Sequence, residues 1–155
     1  MDTKKKLKIL ATVVDSLSDG TLTLKEGDTT ELDWATDTIY LNLDGNEPDL
    51  GFIRHLREVH KERNAYTIDE SLWAVLHEIG HYMMVDDLDE GWEDEEAPVR
   101  AVCAMLSTEQ VASSERLQDL YFNLPSEWEA TEWAVETVEG DLDYFNAMTD
   151  LLQSE

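Results

Sequence analysis

The segment that most constrains the fold is residues 67–84, which the sequence predicts as one amphipathic helix. It begins with Thr-Ile-Asp-Glu, the spacing of a capping box in which Thr67 and Glu70 satisfy two backbone N–H groups. Its apolar side chains recur at helical spacing, and they should anchor the helix to a sheet: Leu72, Val75, Leu76, Ile79 and Met83.

The same helix carries the motif HEIGH, in which His77 and His81 are four residues apart. Both imidazoles therefore lie on one helical face, where they can bind a single Zn²⁺. Glu78 flanks that face, and in such a site it accepts a proton from the water that zinc acidifies and passes it to the leaving amine. Gly80 weakens the helix by up to about 1 kcal/mol, which predicts that another backbone packs closely there. The alternative is that two histidines merely decorate the helix surface.

A catalytic zinc site has three protein ligands and a water, so a third ligand is needed. Asp87 stands at the third-ligand position of the HExxHxxGxxH/D pattern, although Met84 replaces the glycine of that pattern. Asp87 also belongs to the segment Asp86–Glu96, which is mostly acidic and is predicted to form an exposed loop.

Glu127 is the other candidate for the third ligand. On a helix introduced by Pro125, with a capping box from Ser126 to Glu129, Glu127 falls on the apolar stripe and points inward. A buried carboxylate must be paired, because an isolated buried charge costs more than a small domain tolerates, and zinc would pair it. The alternative is that Glu127 only favours the helix dipole. The stripe is formed by Ala130, Ala134 and Val138, and its alanines should let this helix lie close against the histidine helix.

These two motifs resemble the ImmA/IrrE-type metallopeptidases of phages and mobile elements. HEIGH is followed downstream by EWEATEWA at residues 127–134, which is similar to the family pattern E-x-x-A-N-x-F-A, with Thr131 in place of Asn and Trp133 in place of Phe. The resemblance implies a gluzincin-like fold and cleavage of a regulatory protein in the cytoplasm. It also implies the site residues, with Glu78 as general base and three zinc ligands: His77, His81 and Glu127.

Around the motifs the sequence divides into a strand-rich part, residues 1–47, and a helical part, residues 48–155. In the first part Leu7–Val14, a segment around Leu22 and Leu24, and Thr38–Leu43 are predicted as strands of a small, mostly antiparallel sheet. With 155 residues and 42% hydrophobic content, we expect one α+β domain of the zincin type. Thr38–Leu43 is a candidate edge strand that could align a peptide substrate by β-addition.

The helical part is predicted to contain five helices besides residues 67–84. They cover residues 50–63, 98–107 and 114–122, the stretch from 125 to Gly140, and a last helix from Leu142 to Leu152. Cys103 is predicted to fill the core. The donor that would stabilise an oxyanion stays open: Tyr82 is expected in the core, and only folding could bring in His55, His60 or Tyr144.

The net charge of the chain limits the classes of molecule that it can bind. Thirty-six Asp and Glu against 11 Lys and Arg give a net charge of -25, which repels phosphate backbones and anionic lipid. We therefore expect no direct binding to nucleic acid or membrane, and a protein or peptide substrate, preferably a basic one. No apolar run is long enough to cross a bilayer or form a targeting signal, which predicts a cytoplasmic protein. The alternative function is that of an acidic, non-catalytic binding protein on a zincin scaffold, which either mimics nucleic acid or captures a basic partner. If the acidity instead serves solubility or adaptation to salt, it carries no information about partners.

Overall fold

The computed structural model describes residues 1–43 and 68–154. In these ranges the chain has an α+β composition, with a small sheet near the N-terminus and a mostly helical remainder, as the sequence predicted. The elements follow in chain order: α1 (Thr3–Ser18), β1 (Thr23–Glu26), β2 (Glu31–Asp33), β3 (Thr38–Leu41), α2 (Glu70–Met84), α3 (Trp92–Met105), α4 (Thr108–Ala112), α5 (Glu115–Phe122), α6 (Pro125–Gly140) and α7 (Leu142–Gln153).

The strand predicted at Leu7–Val14 is wrong, because this run lies inside α1. The Asp2 side chain caps the helix by accepting a hydrogen bond from the Lys5 backbone N–H at 2.9 Å. A short continuous apolar run does not distinguish a strand from a buried helical segment, and here the spacing of the buried positions is helical. The buried residues of α1 are Leu10, Val13, Val14 and Ser18.

The sheet is mixed, with β3 in the middle, and so it is not mostly antiparallel. β1 runs parallel to β3, whereas β2 runs antiparallel to it. The central position of β3 corrects the substrate hypothesis for Thr38–Leu43, since both sides of this strand are already paired. Ile39 and Leu41 of β3 are buried in the core, in one cluster with apolar residues of α1 and α2.

Helix α2 lies between the sheet and α6. Its N-cap is Asp69, whose side chain accepts from the Ser71 N–H at 2.9 Å, so the capping box predicted for Thr67 and Glu70 is wrong; Thr67 itself lies outside the described residues. The helix ends at Met84 as predicted. Of the five predicted anchors, four are buried, whereas Met83 is 39% exposed.

The later helices mostly follow the sequence prediction. α5 begins after Ser114, whose side chain caps it, α6 ends at Gly140, and α7 covers the predicted last helix. The capping box predicted for Ser126 and Glu129 is wrong, because Leu124 is the N-cap of α6 and Ser126 already lies in its first turn. The predicted helix over residues 50–63, with His55 and His60, lies outside the described residues.

The acidic segment Asp86–Glu96 is not a continuous exposed loop. Val85–Asp87 forms a short 3-10 turn, and α3 begins at Trp92, six residues before Pro98. Glu96 is fully buried, and the prediction of solvent exposure fails for that residue. Cys103 is only half-buried on α3, so the prediction that it fills the core is wrong as well. Among the described residues no helix combines the length and apolar character needed to cross a membrane.

Candidate metal centre

His77 and His81 lie one turn apart on the face of α2 that contacts α6. Their rings meet edge to face, with centroids 4.7 Å apart. His77 is buried with 8% exposure, and His81 is half-buried. Glu78, between them in sequence, is also half-buried, and its charge is close enough to raise the pKa of His81. The HEIGH motif therefore presents two imidazoles at one helix–helix interface, with a carboxylate close enough to act on them electrostatically.

Glu127 projects from the first turn of α6 toward both imidazoles. Its side chain is 2% exposed, so the prediction that it points inward is confirmed. The Oε2 atom lies 2.7 Å from Nε2 of His77 and 3.0 Å from Nε2 of His81. One ligand atom from each of these three residues lies within 4.8 Å of the others, and this group could hold a metal ion.

Asp87, the alternative third ligand, has a different environment. It is exposed in the 3-10 turn that follows α2, and it does not belong to the buried group formed by the two histidines and Glu127. Among the described residues the structure therefore favours Glu127 over Asp87 as the partner of the histidines.

Gly80 explains how two helices can approach closely enough to place these groups together. A Cβ atom at Gly80 would lie 2.5 Å from the carbonyl oxygen of Ala130 and 2.9 Å from its Cα. Backbone atoms cannot rotate away as a side chain can, so only glycine fits without moving a helix. The close backbone contact expected from the sequence is confirmed, and its partner is α6. Ala134 and Val138 continue the same buried stripe.

The side chains of Glu127, His77 and His81 differ in the direction in which their pKa values are shifted. Burial raises the pKa of Glu127, but the charge of His81 and the hydrogen bonds from both histidines outweigh burial and hold the pKa well below its usual range. Burial lowers the pKa of His77. Burial also acts to lower the pKa of His81, but the charges of Glu127 and Glu78 and the hydrogen bond to Glu127 raise it overall. Glu127 is therefore ionised, and His77 is the more readily neutral imidazole.

Thr131 lies close to the second ring nitrogen of His77. Its hydroxyl donates to the backbone carbonyl of Glu127 at 2.9 Å, and the same oxygen lies 3.4 Å from Nδ1 of His77. The other ring nitrogen, Nε2, faces Oε2 of Glu127 at 2.7 Å, and both of these atoms carry lone pairs that can accept. Two such acceptors need a proton or a cation between them. Two imidazole nitrogens and one carboxylate oxygen form a donor set that fits Zn²⁺.

Arg100, on α3, also contacts Glu127, and sequence reasoning missed it. Its guanidinium NH2 lies 3.1 Å from the Oε1 atom of Glu127 and 2.8 Å from Glu96. A signal was present in the sequence: Arg100 is the sole basic residue between Asp86 and Glu115, and it stands four residues after Glu96.

Tyr121, on α5, is a second residue that sequence reasoning missed. Arg100 lies over its ring, with the guanidinium carbon 5.6 Å from the centroid. Burial, followed by the nearby charge of Glu127, raises the pKa of Tyr121, which keeps the phenol protonated. The earlier candidates lie elsewhere: Tyr82 stacks on Trp34 and is only half-buried, and Tyr144 packs beside Phe145. No signal in the sequence connects Tyr121 to Glu127 or Arg100, because these residues are brought together only by the tertiary fold.

The chain was compared with profiles of protein families, with curated proteins and with solved structures, and none of the three comparisons gave a match.

Proposed function

We propose that this chain is a zinc-dependent metallopeptidase of the zincin type, similar to the ImmA/IrrE enzymes, that hydrolyses peptide bonds in a protein or peptide substrate. One observation carries the proposal. Folding brings Glu127 to within 3.0 Å of both imidazoles of HEIGH, although it is 50 and 46 residues away from them in sequence. A structural role alone would not require a buried carboxylate there and a second one, Glu78, beside it.

In this proposal each residue has one role. His77, His81 and Glu127 hold the zinc. Zinc, when bound, supplies a Lewis acid that polarises the scissile carbonyl and lowers the pKa of a water. Glu78 accepts the proton of the attacking water and delivers it to the leaving amine. The phenol of Tyr121, which stays protonated and hydrogen-bonds Glu127, is the candidate donor to the developing oxyanion.

The substrate would be an extended, preferably basic segment of a protein or peptide. The net charge of -25 favours basic partners through long-range attraction. Since β3 is central, β-addition would have to use an outer strand of the described sheet. β2 is the better candidate because it packs on α2, the helix that carries HEIGH.

The first experiment measures metal content. Untagged wild type, Glu78→Gln, Glu127→Ala and Asp87→Ala are purified identically, with Glu136→Ala as a control that removes an exposed carboxylate from the same helix as Glu127. We expect about one zinc per chain in every protein except Glu127→Ala, because three protein ligands are the usual minimum for a catalytic site. Wild type without zinc would contradict the proposal and favour the acidic binding protein as the function.

The second experiment measures cleavage. Zinc-loaded wild type and Glu78→Gln are incubated with a mixture of peptides derived from whole-cell protein, and new termini are identified by mass spectrometry. Removing a general base lowers the rate by about 10² to 10⁴ while the ligands stay intact, so Glu78→Gln should bind zinc and produce almost no new termini. Equal cleavage by both proteins would exclude Glu78 as the general base.

A further inference from the structure

We propose that Glu96 and Arg100 are positioning residues of the metal centre, which hold one oxygen of Glu127 so that only the other faces the histidines. The inference rests on the proposed function, because it assumes that Glu127 is a metal ligand. It assigns a role to Glu96, the last residue of the acidic segment predicted as a solvated loop, and to Arg100, four residues further along α3.

The two oxygens of Glu127 have different partners. Oε2 lies against the Nε2 atoms of His77 and His81, whereas Oε1 lies 3.1 Å from NH2 of Arg100. A carboxylate held in this way offers a cation one oxygen, because the other accepts a charge-assisted hydrogen bond. Arg100 therefore fixes the rotation of the carboxylate about its own axis.

Glu96 in turn fixes Arg100. Its side chain is fully buried, and its Oε1 accepts from Nε of Arg100 at 3.0 Å and from NH2 at 2.8 Å. A buried carboxylate is retained only when its charge and hydrogen bonds are satisfied, and the guanidinium supplies the opposite charge and two of these hydrogen bonds. Glu96 differs in burial and in partners from the neighbouring acidic residues of α3. These neighbours are exposed: Glu93, Asp94 and Glu95.

Glu96 also holds the first turn of α6. Its Oε2 accepts from the backbone N–H of Ser126 at 2.8 Å, and its Oε1 accepts from the Ser126 hydroxyl at 2.7 Å. Ser126 directly precedes Glu127, and Arg100 donates to the Ser126 hydroxyl as well, at 2.8 Å. The pair on α3 thus fixes both the backbone before the ligand and the ligand carboxylate itself.

The charges of Glu96 and Arg100 determine which variant tests the positioning role with the fewest side effects. Removing Arg100 loses the orientation of Glu127 but also removes a positive charge that opposes a bound cation, so its two effects have opposite signs. Glu96→Gln loses a charge-assisted contact, turns an amide N–H toward the Ser126 donor, and removes one of the two carboxylates that the described residues place against Arg100, so that more of its positive charge acts on the cation. All of these weaken zinc binding. Arg100→Lys keeps the charge and removes only the paired N–H geometry.

The experiment measures the Kd for Zn²⁺ by competition with a chelator, on folded protein checked by circular dichroism and by Tm in EDTA. Glu96→Gln is matched with Glu95→Gln, an exposed neighbour on the same helix, and Arg100→Lys with Arg116→Lys, an exposed arginine on α5. Loss of a partner that orients a ligand typically weakens metal binding about 10- to 100-fold. We expect that loss for Glu96→Gln and Arg100→Lys, and changes of less than about 2-fold for the controls, whose side chains are exposed and make no hydrogen bond or ion pair with Glu127 within residues 1–43 and 68–154.

A spectroscopic measurement separates positioning from general damage. In Co²⁺-substituted protein the visible absorption depends on coordination number and geometry. We expect a changed spectrum for Glu96→Gln and the wild-type spectrum for Glu95→Gln, because a released carboxylate can bind through both oxygens. If Glu96→Gln does not fold, Arg100→Lys decides by the same two measurements.

Wild-type zinc affinity and spectrum in the folded variants would overturn the inference and leave the metal centre standing. A wild type that binds no zinc would instead overturn the proposed function, and with it this inference. The two failures are therefore distinguishable.

Discussion

Helix α6 makes two contacts around Glu127 that differ in kind. Toward α2 the contact is steric, because Gly80 lets the backbone of one helix lie against Ala130 of the other. Toward α3 the contact is a buried hydrogen-bonded network of Glu96, Arg100 and Ser126. The first sets the distance between the ligand helices, and the second sets the orientation of the ligand carboxylate. A site of this kind needs both, because a correct distance with a rotating carboxylate does not define a metal geometry.

Gly80→Ala should have the largest effect, because it breaks the steric contact. Alanine favours a helix by about 1 kcal/mol over glycine, but overpacking costs up to about 3 kcal/mol, and backbone atoms cannot yield. We expect a net loss of about 2 kcal/mol in the free energy of unfolding, measured in urea, and a loss of zinc.

Gly140→Ala is the matched control, since it is also a helical glycine but a Cβ there would meet no atom within 4 Å. It should be neutral or stabilising. Wild-type zinc content in Gly80→Ala would show that the close approach of α2 and α6 is not required for the site.

Tyr121→Phe tests the hydrogen-bonded side of Glu127, because it removes a polar group there. The change removes one hydroxyl near Glu127 and Glu78 and leaves the ring under Arg100. If the phenol stabilises an oxyanion, kcat falls about 10- to 100-fold or more, while the Kd for zinc stays within about 2-fold. Steady-state kinetics on a cleaved peptide measures this, with Tyr82→Phe as control. An unchanged kcat would exclude the role, and a weakened Kd would assign Tyr121 to ligand positioning instead.

The smallest expected effect is a pH dependence of the metal-free protein. The pKa of His81 is raised in the folded state, so the folded protein holds this proton more tightly than the unfolded chain. Its stabilising contribution is complete below the unfolded pKa near 6.5 and is lost as pH rises through the folded pKa. In EDTA, His81→Gln should therefore be more destabilising in urea unfolding at pH 6 than at pH 9. The opposite order would mean that Glu127 does not stabilise the charged imidazole.

Local pattern was enough to predict one half of this site. The spacing of HEIGH placed two imidazoles on one face, and the period of α6 turned Glu127 inward, because both inferences need only the geometry of a single helix. The glycine in HEIGH also predicted a close backbone neighbour. These are properties of a helix that tertiary contacts did not change.

The other half depends on contacts between helices, which periodicity does not encode. Glu96 has the same local sequence environment as its acidic neighbours. Its burial is tolerated because Arg100 and Ser126 form hydrogen bonds with it in the folded chain. Tyr121 reaches the site from a separate helix. Leu7–Val14 was assigned to a strand because a short apolar run is ambiguous, and β3 was taken as an edge because strand order is a tertiary property.

Anomalous X-ray diffraction at the zinc absorption edge, on crystals of the zinc-loaded protein, would locate the metal and its ligands. We expect one strong peak about 2.0 to 2.2 Å from Nε2 of His77, Nε2 of His81 and Oε2 of Glu127, with Oε1 still held by Arg100. A peak that involves Asp87 and leaves Glu127 uncoordinated, or no peak between the two histidines, would contradict this ligand set.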